Sequence, residues 1–391
     1  MTAVLPVDDH QPAVESGLAR LPSLTGLRWW AALFVVFFHS LIGILGGSYF
    51  QLHALHTWAL GGFLGVSLFF VLSGFVLTWA WNPAEPKSQF YLRRFARVYP
   101  LYALSILAFW IFVVKVLHQT VHWKAAFASL ALVQAHIPYE RYFGSPSFVA
   151  WSLSCEALFY ALLPFVLPRL WRATQRSLLV VVAVVAAWII MVPVVLVATI
   201  HDFHLVHGLE LNPFYRFGEF MLGVCVALLM RRGWRLPVGP WVVSAVLVGG
   251  YFVASSSLRI LGHHGWSVEA ARFAAIVIFL PCVAIGIAGL AGADLSNRRT
   301  PVSDRISVRL GEWSYAMYLI HVIVLFYVAK FLKDHGAATR DVGVLTSILR
   351  LALLVAALVV ISWLLHSLIE LPLNRAIRRA GARKLARETK P

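Results

Sequence analysis

The sequence predicts an all-α, polytopic membrane protein of about ten transmembrane helices plus one short interfacial or re-entrant helix. Three observations carry this expectation. The 391 residues are 60% hydrophobic and 13% charged, with a mean hydropathy of +0.78. That is more apolar side chain than one soluble core can enclose. The apolar residues fall into ten runs, each long enough to cross a hydrocarbon layer of about 30 Å as a helix. With the N-terminus placed inside, twenty-two of the 33 Lys and Arg residues lie on inner segments and five on outer ones, a strong positive-inside bias. The net charge of +16 is then mostly topology, and no nucleic-acid partner is expected. The expected location is the plasma membrane, multi-pass, with both termini cytosolic.

The spans read as residues 24–46, 59–81, 99–117, 148–168, 178–200, 212–231, 240–258, 270–291, 308–332 and 345–369. Residues 1–23 form a cytosolic tail without a signal peptide, since Asp8, Asp9 and Glu15 interrupt it and no apolar stretch follows Met1. Residues 24–370 make one transmembrane domain, and 371–391 a basic cytosolic tail suited to anionic lipid. Cys155, Cys225 and Cys282 all fall inside spans without ligand spacing, so they read as small buried hydrophobes. No metal site is expected.

The first span, LTGLRWWAALFVVFFHSLIGI, contains Arg28 and His39. Eleven residues apart, they share nearly one helical face and lie about 16 Å apart along the axis. An imidazole at mid-bilayer is costly to keep there and marks a candidate functional site. The alternative is a His bonded to a neighbouring helix and an Arg reaching the headgroups. In the second span, Ser73-Gly74 interrupts an aromatic run, where Gly admits either a ligand or another helix. Arg93, Arg94 and Arg97 crowd the inner end of the third span. They suit a polyanionic cytosolic ligand, or belong to ordinary positive-inside decoration. Trp123 to Ala135 is too short to cross and reads as interfacial or re-entrant.

In the fourth span Trp151 reads as an interfacial anchor and Glu156 as a buried carboxylate, about eight residues (roughly 12 Å) from the outer side. Glu156 is either catalytic or structurally paired. Arg216 and Glu219 in the sixth span are three apart and positioned to pair, or to meet a substrate. Tyr315 and His321 share a face of the ninth span, His321 being a second mid-depth imidazole. The tenth span ends HSLIELPLNR, with Glu370 and Pro372 closing it. Spans five, seven and eight are almost wholly apolar scaffold, with Arg272 the main exception.

These segments, taken in order, resemble acyltransferase family three, membrane proteins that move acyl groups onto hydroxyls. The resemblance rests on Arg28-x10-His39 within LTGLRWWAALFVVFFH, on GVSLFFVLSGF, FYLRRFARVYPLY and WSLSCEALFY, and on RFGEFMLG, LGEWSYAMYLIH and IELP. It covers residues 21 to 378. Ser67 departs from it, since many members carry an acidic residue there. No esterase-like domain is expected after the tenth span, so transfer is completed within the membrane domain or by a separate partner. The resemblance implies an acyl-CoA donor, acetyl-CoA foremost, on the cytosolic side. It implies a hydroxyl-bearing glycan, glycolipid or glycosylated natural product, including macrolide-type compounds, as acceptor.

Combined with the residue reading, this assigns His39 as general base with Glu156 supporting the acceptor. Arg28, Ser73, Gly74, Arg93 and Arg94 go to the donor, and Trp151, Arg216, Glu219, Tyr315 and His321 to acceptor or structural support. The rival class is a proton-coupled transporter or flippase, which intramembrane His, Glu and Arg also suit. No internal repeat with matched broken helices is visible to support it. A ligand-sensing or scaffold membrane protein leaves the ordered motifs unexplained.

Overall fold

A computed structural model describes residues 19–45, 52–335 and 343–388. The segment 1–18, and with it most of the expected N-terminal tail, lies outside the described residues, as do Arg340 and Lys390. Among the described residues the chain is helical, and ten helices are long and apolar enough to cross a membrane. These are Pro22–Ile42, Leu55–Trp79, Lys87–Lys115, Trp151–Arg172, Gln175–Thr199, Phe203–Arg231, Pro240–His263, Val268–Leu295, Arg305–Asp334 and Val344–Gly381. All ten expected spans are present.

In chain order the α-helices are α1 Pro22–Phe38, α2 His53–Leu60, α3 Leu64–Trp79, α4 Lys87–Lys115, α5 Trp123–Leu130 and α6 Glu140–Phe143. Then come α7 Trp151–Arg172, α8 Gln175–Thr199, α9 Phe203–Glu210, α10 Pro213–Arg231, α11 Pro240–His263 and α12 Val268–Leu295. Last are α13 Arg305–Asp334, α14 Val344–Leu365 and α15 Leu371–Glu388. The closest-packed pairs are α11 with α12, α3 with α10, and α1 with α13. The central helices α1, α3, α10 and α13 bury long stretches of side chain, whereas α8 and α14 turn mostly outward, as apolar helices do when lipid covers them.

Helix α4 differs from its expected span by starting at Lys87 instead of 99. Lys87–Val98 are good helix formers following Pro86, and the helix runs on through them. Arg93, Arg94 and Arg97 therefore sit on a continuous helix and not on a loop before one. The segment between α4 and α7 packs against the middle of α4. Tyr99 and Tyr102, near the middle of the 29-residue α4, donate from their hydroxyls to Leu130 O at 3.1 Å and Ser129 O at 2.7 Å. The side chain of Gln134 is fully buried and donates to Ala150 O at 2.9 Å. These bonds satisfy carbonyls at the end of α5 and the start of α7 inside the protein.

Two π-helical turns interrupt the spans. One, His39–Gly43, ends the first membrane helix, with Ile44 N–H donating to His39 O at 2.7 Å. The other, His366–Glu370, joins α14 to α15. Glu370-Leu371-Pro372 consequently does not close the last helix. The π turn resets the register so that Pro372 falls in the first turn of α15, where no N–H is needed. The basic tail continues as α15 and packs along α4, with Gly381 against Leu92.

Gly74 serves this packing. A Cβ on Gly74 would stand 2.0 Å from Phe220 O, and one on Gly223 would stand 1.9 Å from Val71 O. The two glycines let α3 and α10 approach backbone to backbone, as small residues do in membrane helix pairs. The structure thus places Gly74 at a helix crossing, the packing alternative to the expected donor role. Gly74→Ala is expected to cost 1–3 kcal/mol or more by overpacking, read as a lower melting temperature in detergent. Acyl-CoA affinity of the folded fraction should stay unchanged, whereas a donor-contacting Gly74 would lose affinity without losing stability.

Candidate active site

One cleft, with a cavity volume of about 110 Å³, opens between α1, α3, α4, α7 and α13. At one end it is lined by Arg28, Arg94 and Arg97 with Glu156, Tyr160 and Tyr315, and at the other by Phe69, Ser152 and Tyr318. Three guanidinium groups against one lining carboxylate make the first end cationic. Tyr160 donates to Glu156 Oε2 at 2.6 Å one helical turn away, and Tyr315 donates to Val98 O at 2.7 Å. Arg97 is ion-paired with Glu370 of the second π turn, whose other oxygen lies 3.0 Å from His366 Nδ1. Arg94 Nε is buried and has no hydrogen-bond acceptor among the described residues. A buried guanidinium N–H left unpaired is costly, so this donor is set to meet an anion.

Several expected donor residues converge there. Arg28, Ser73 and Arg94 all line the cleft. Arg93 does not, because it points to the adjacent face of α4 and pairs with Glu85. Glu156 is on the arginine side, away from the expected acceptor side. The reason lies in where α7 begins. A count from residue 148 puts Glu156 on the outer side, whereas α7 starts at Trp151. The next turn and a half brings Glu156 down among the guanidinium groups.

His39 lies outside the cleft lining, at the π turn. Its Nδ1 is 3.0 Å from Val35 O and 3.1 Å from His321 Nε2. His321 is fully buried, and its Nδ1 is 2.7 Å from Tyr318 O. The ring of His39 is 5.1 Å from that of His321 and 5.2 Å from that of Phe148, centroid to centroid. The cleft and the histidine pair are joined by one turn of α13. The Tyr318 carbonyl holds His321, while the Tyr318 hydroxyl lies 2.7 Å from Ser152 Oγ and donates to Val149 O at 3.0 Å.

A second polar centre is fully enclosed. Arg216 donates to Glu219 Oε1 at 2.5 Å, to Glu210 Oε1 at 3.1 Å and to Glu210 O at 2.8 Å. Arg272 meets both Glu210 oxygens at 2.9–3.2 Å. Arg216 also lies over Trp151, 5.5 Å from the ring centre, and reaches Ser67 Oγ at 3.4 Å. Ser67 is thus beside a guanidinium already neutralised by two carboxylates, which accounts for a neutral residue being tolerated there. Among the expected support residues, Trp151, Arg216 and Glu219 belong to this buried network, Tyr315 to the cleft and His321 to the histidine pair.

Sequence reading grouped Arg97 with Arg93 and Arg94 but left it out of the donor set; it missed Tyr160 and Ser152 as cleft residues, and Glu210 and Arg272 as a buried pair. Arg97 and Tyr160 were readable as helix neighbours, one turn from Arg93 and from Glu156. Glu210 was not, because it stands in a short helix ahead of the expected span. No group of His, Cys, Asp and Glu able to hold a metal ion occurs among the described residues.

Helices of this number and length make the chain a multi-pass membrane protein. Residues 21–367 match the model of the acyltransferase domain, Acyl_transf_3; the chain belongs to that family and is an acyltransferase. Acyltransferase MdmB of Streptomyces mycarofaciens is 33% identical over 93% of this chain and 94% of that protein. Nodulation protein 10 of Rhizobium leguminosarum bv. viciae is 27% identical over 67% of this chain and 71% of its own. Peptidoglycan O-acetyltransferase OatA of Listeria monocytogenes is 32% identical over 41% of this chain and 27% of that protein. No solved structure matches.

Proposed function

We propose that the protein moves an acyl group, acetyl foremost, from cytosolic acyl-CoA to a hydroxyl of a sugar-containing acceptor at the plasma membrane. The acceptor class is a cell-surface glycan, a glycolipid or a glycosylated natural product. The observation that carries the reading is the continuity between the arginine end of the cleft, the Tyr318 turn and His39. Arg28, Arg94 and Arg97 bind the coenzyme's phosphates by charge-assisted hydrogen bonds, and the inward bias of the basic residues supports a cytosolic position for that end. Glu156 and Tyr160 space the guanidinium groups from the donor side. The pantetheine arm follows Ser73 and Phe69 toward Ser152 and Tyr318, which brings the thioester to the histidine pair.

His39 Nε2 takes the acceptor hydroxyl proton as the oxygen attacks the thioester carbonyl. The C–O bond forms, the C–S bond breaks, and the coenzyme thiolate recovers the proton from Nε2. A relative named as a peptidoglycan O-acetyltransferase supports O-acylation of a sugar polymer. The experiment supplies acetyl-labelled acetyl-CoA to inside-out membrane vesicles with envelope and small-molecule extracts of the source cells. Expected is label in an alkali-labile ester together with an equal amount of free CoA thiol. A carrier would move solutes with the thioester intact, and that result would reject the reading.

A further inference from the structure

We propose that His321 is a positioning residue for His39: its Nε2, together with the Val35 carbonyl, accepts the Nδ1 hydrogen of His39, and it ties the ring to a second helix and meets the charge that forms on it, leaving the basic lone pair at Nε2, the nitrogen that meets the acceptor hydroxyl. The proposal rests on His39 being the general base and deepens that reading. It follows from which atoms can donate. The Tyr318 carbonyl, 2.7 Å from His321 Nδ1, can only accept, so Nδ1 of His321 carries the hydrogen. A neutral imidazole protonated there presents a lone pair at Nε2. Nδ1 of His39 faces that lone pair at 3.1 Å and the Val35 carbonyl at 3.0 Å, two acceptors and no donor. His39 therefore carries its own hydrogen on Nδ1, shared between them, and its Nε2 is left with the lone pair.

The chain from Tyr318 O through His321 to His39 gives one direction to every hydrogen. His321 has no freedom to reverse it, being fully buried and tied to its own helix. When His39 Nε2 takes the hydroxyl proton, the ring becomes cationic and the Nδ1–H bond to His321 becomes charge-assisted, a stronger bond than before transfer. His321 thus acts more on the charged state along the reaction than on the resting one, which is where a positioning residue changes turnover. His39 stands where α1 passes into the π turn. Nothing in the spacing of the two residues, 282 apart in sequence, indicates the bond.

Three variants test it, with release of CoA thiol from acetyl-CoA in the presence of the extract that becomes labelled. The carbonyl oxygen of Gln falls near Nε2 of a histidine and accepts a hydrogen bond there, whereas that of Asn falls short. His321→Leu and His321→Asn are expected to lower kcat about a hundredfold, the scale of a general base left unoriented, with acetyl-CoA affinity unchanged. His321→Gln is expected within tenfold of wild type. Wild-type turnover in His321→Leu overturns the proposal, as does a Gln variant no better than Asn. Should His321→Leu not fold, the Gln–Asn difference decides alone; should none of the three fold, His321 is structural and the proposal falls. His39→Ala separates the two claims. If it keeps turnover, the general-base reading fails; if it is inactive while His321→Leu is active, only the positioning role fails.

Discussion

His39→Ala is expected to lower acyl transfer by about three orders of magnitude, within the range that a positioned general base contributes, while the protein still folds and binds acyl-CoA. The expectation separates cleanly from a structural role. His39 is only partly buried, it makes its hydrogen bonds to Val35 O and His321, and it contributes no lining to the cleft proposed for the donor. Removing it leaves a small gap beside Phe148 and Phe38, with ring contacts of 5.2 and 5.1 Å lost, and orphans the Nε2 acceptor of His321. That costs about 1–3 kcal/mol, which a protein of this size and packing can absorb. Turnover and affinity measured on the same purified sample check it. Retained turnover would make His39 a satisfied buried histidine.

Arg94→Ala is expected to weaken acyl-CoA binding about tenfold to a hundredfold, since a hydrogen bond to a charged group contributes about 1.5–3 kcal/mol and 1.4 kcal/mol is a factor of ten. Arg94 lines the cleft, and its Nε has no other acceptor among the described residues, so the substitution removes a donor without breaking an internal pair. Arg93→Ala should bind the donor as the wild type does, because Arg93 is engaged by Glu85 outside the cleft. Two arginines adjacent in sequence thereby give opposite results, and ordinary positive-inside decoration would give none. Titration of acetyl-CoA against both variants decides. Equal affinity in Arg94→Ala would remove the phosphates from this end of the cleft.

Most of the fold was legible because lipid leaves a coarse signal: all ten spans, and a short helix between the third and fourth, follow from hydropathy and length. What depends on rotation and depth was only partly legible. Arg93 and Arg94 are neighbours in sequence, yet consecutive helical residues project about 100° apart, so one enters the cleft and the other leaves it. Gly74 looked equally suited to a ligand or a helix, and only the position of Phe220 distinguishes them. Glu156 lines the arginine end of the cleft because the helices packed around α7, which a depth count does not identify, set its neighbours. The partnership of His39 with His321 joins the first and ninth spans, and a single sequence holds no trace of which helices adjoin.

The division of labour between the cleft and the histidine pair is tested most directly by one paired measurement, acetyl-CoA Kd and kcat on His39→Ala and Arg94→Ala side by side. Expected is a double dissociation. His39→Ala keeps Kd and loses kcat, while Arg94→Ala loses Kd and keeps kcat at saturating donor. If His39→Ala lost donor affinity, or if Arg94→Ala lost turnover at saturation with its Kd intact, the donor and the proton transfer would not be divided between these two ends of the site.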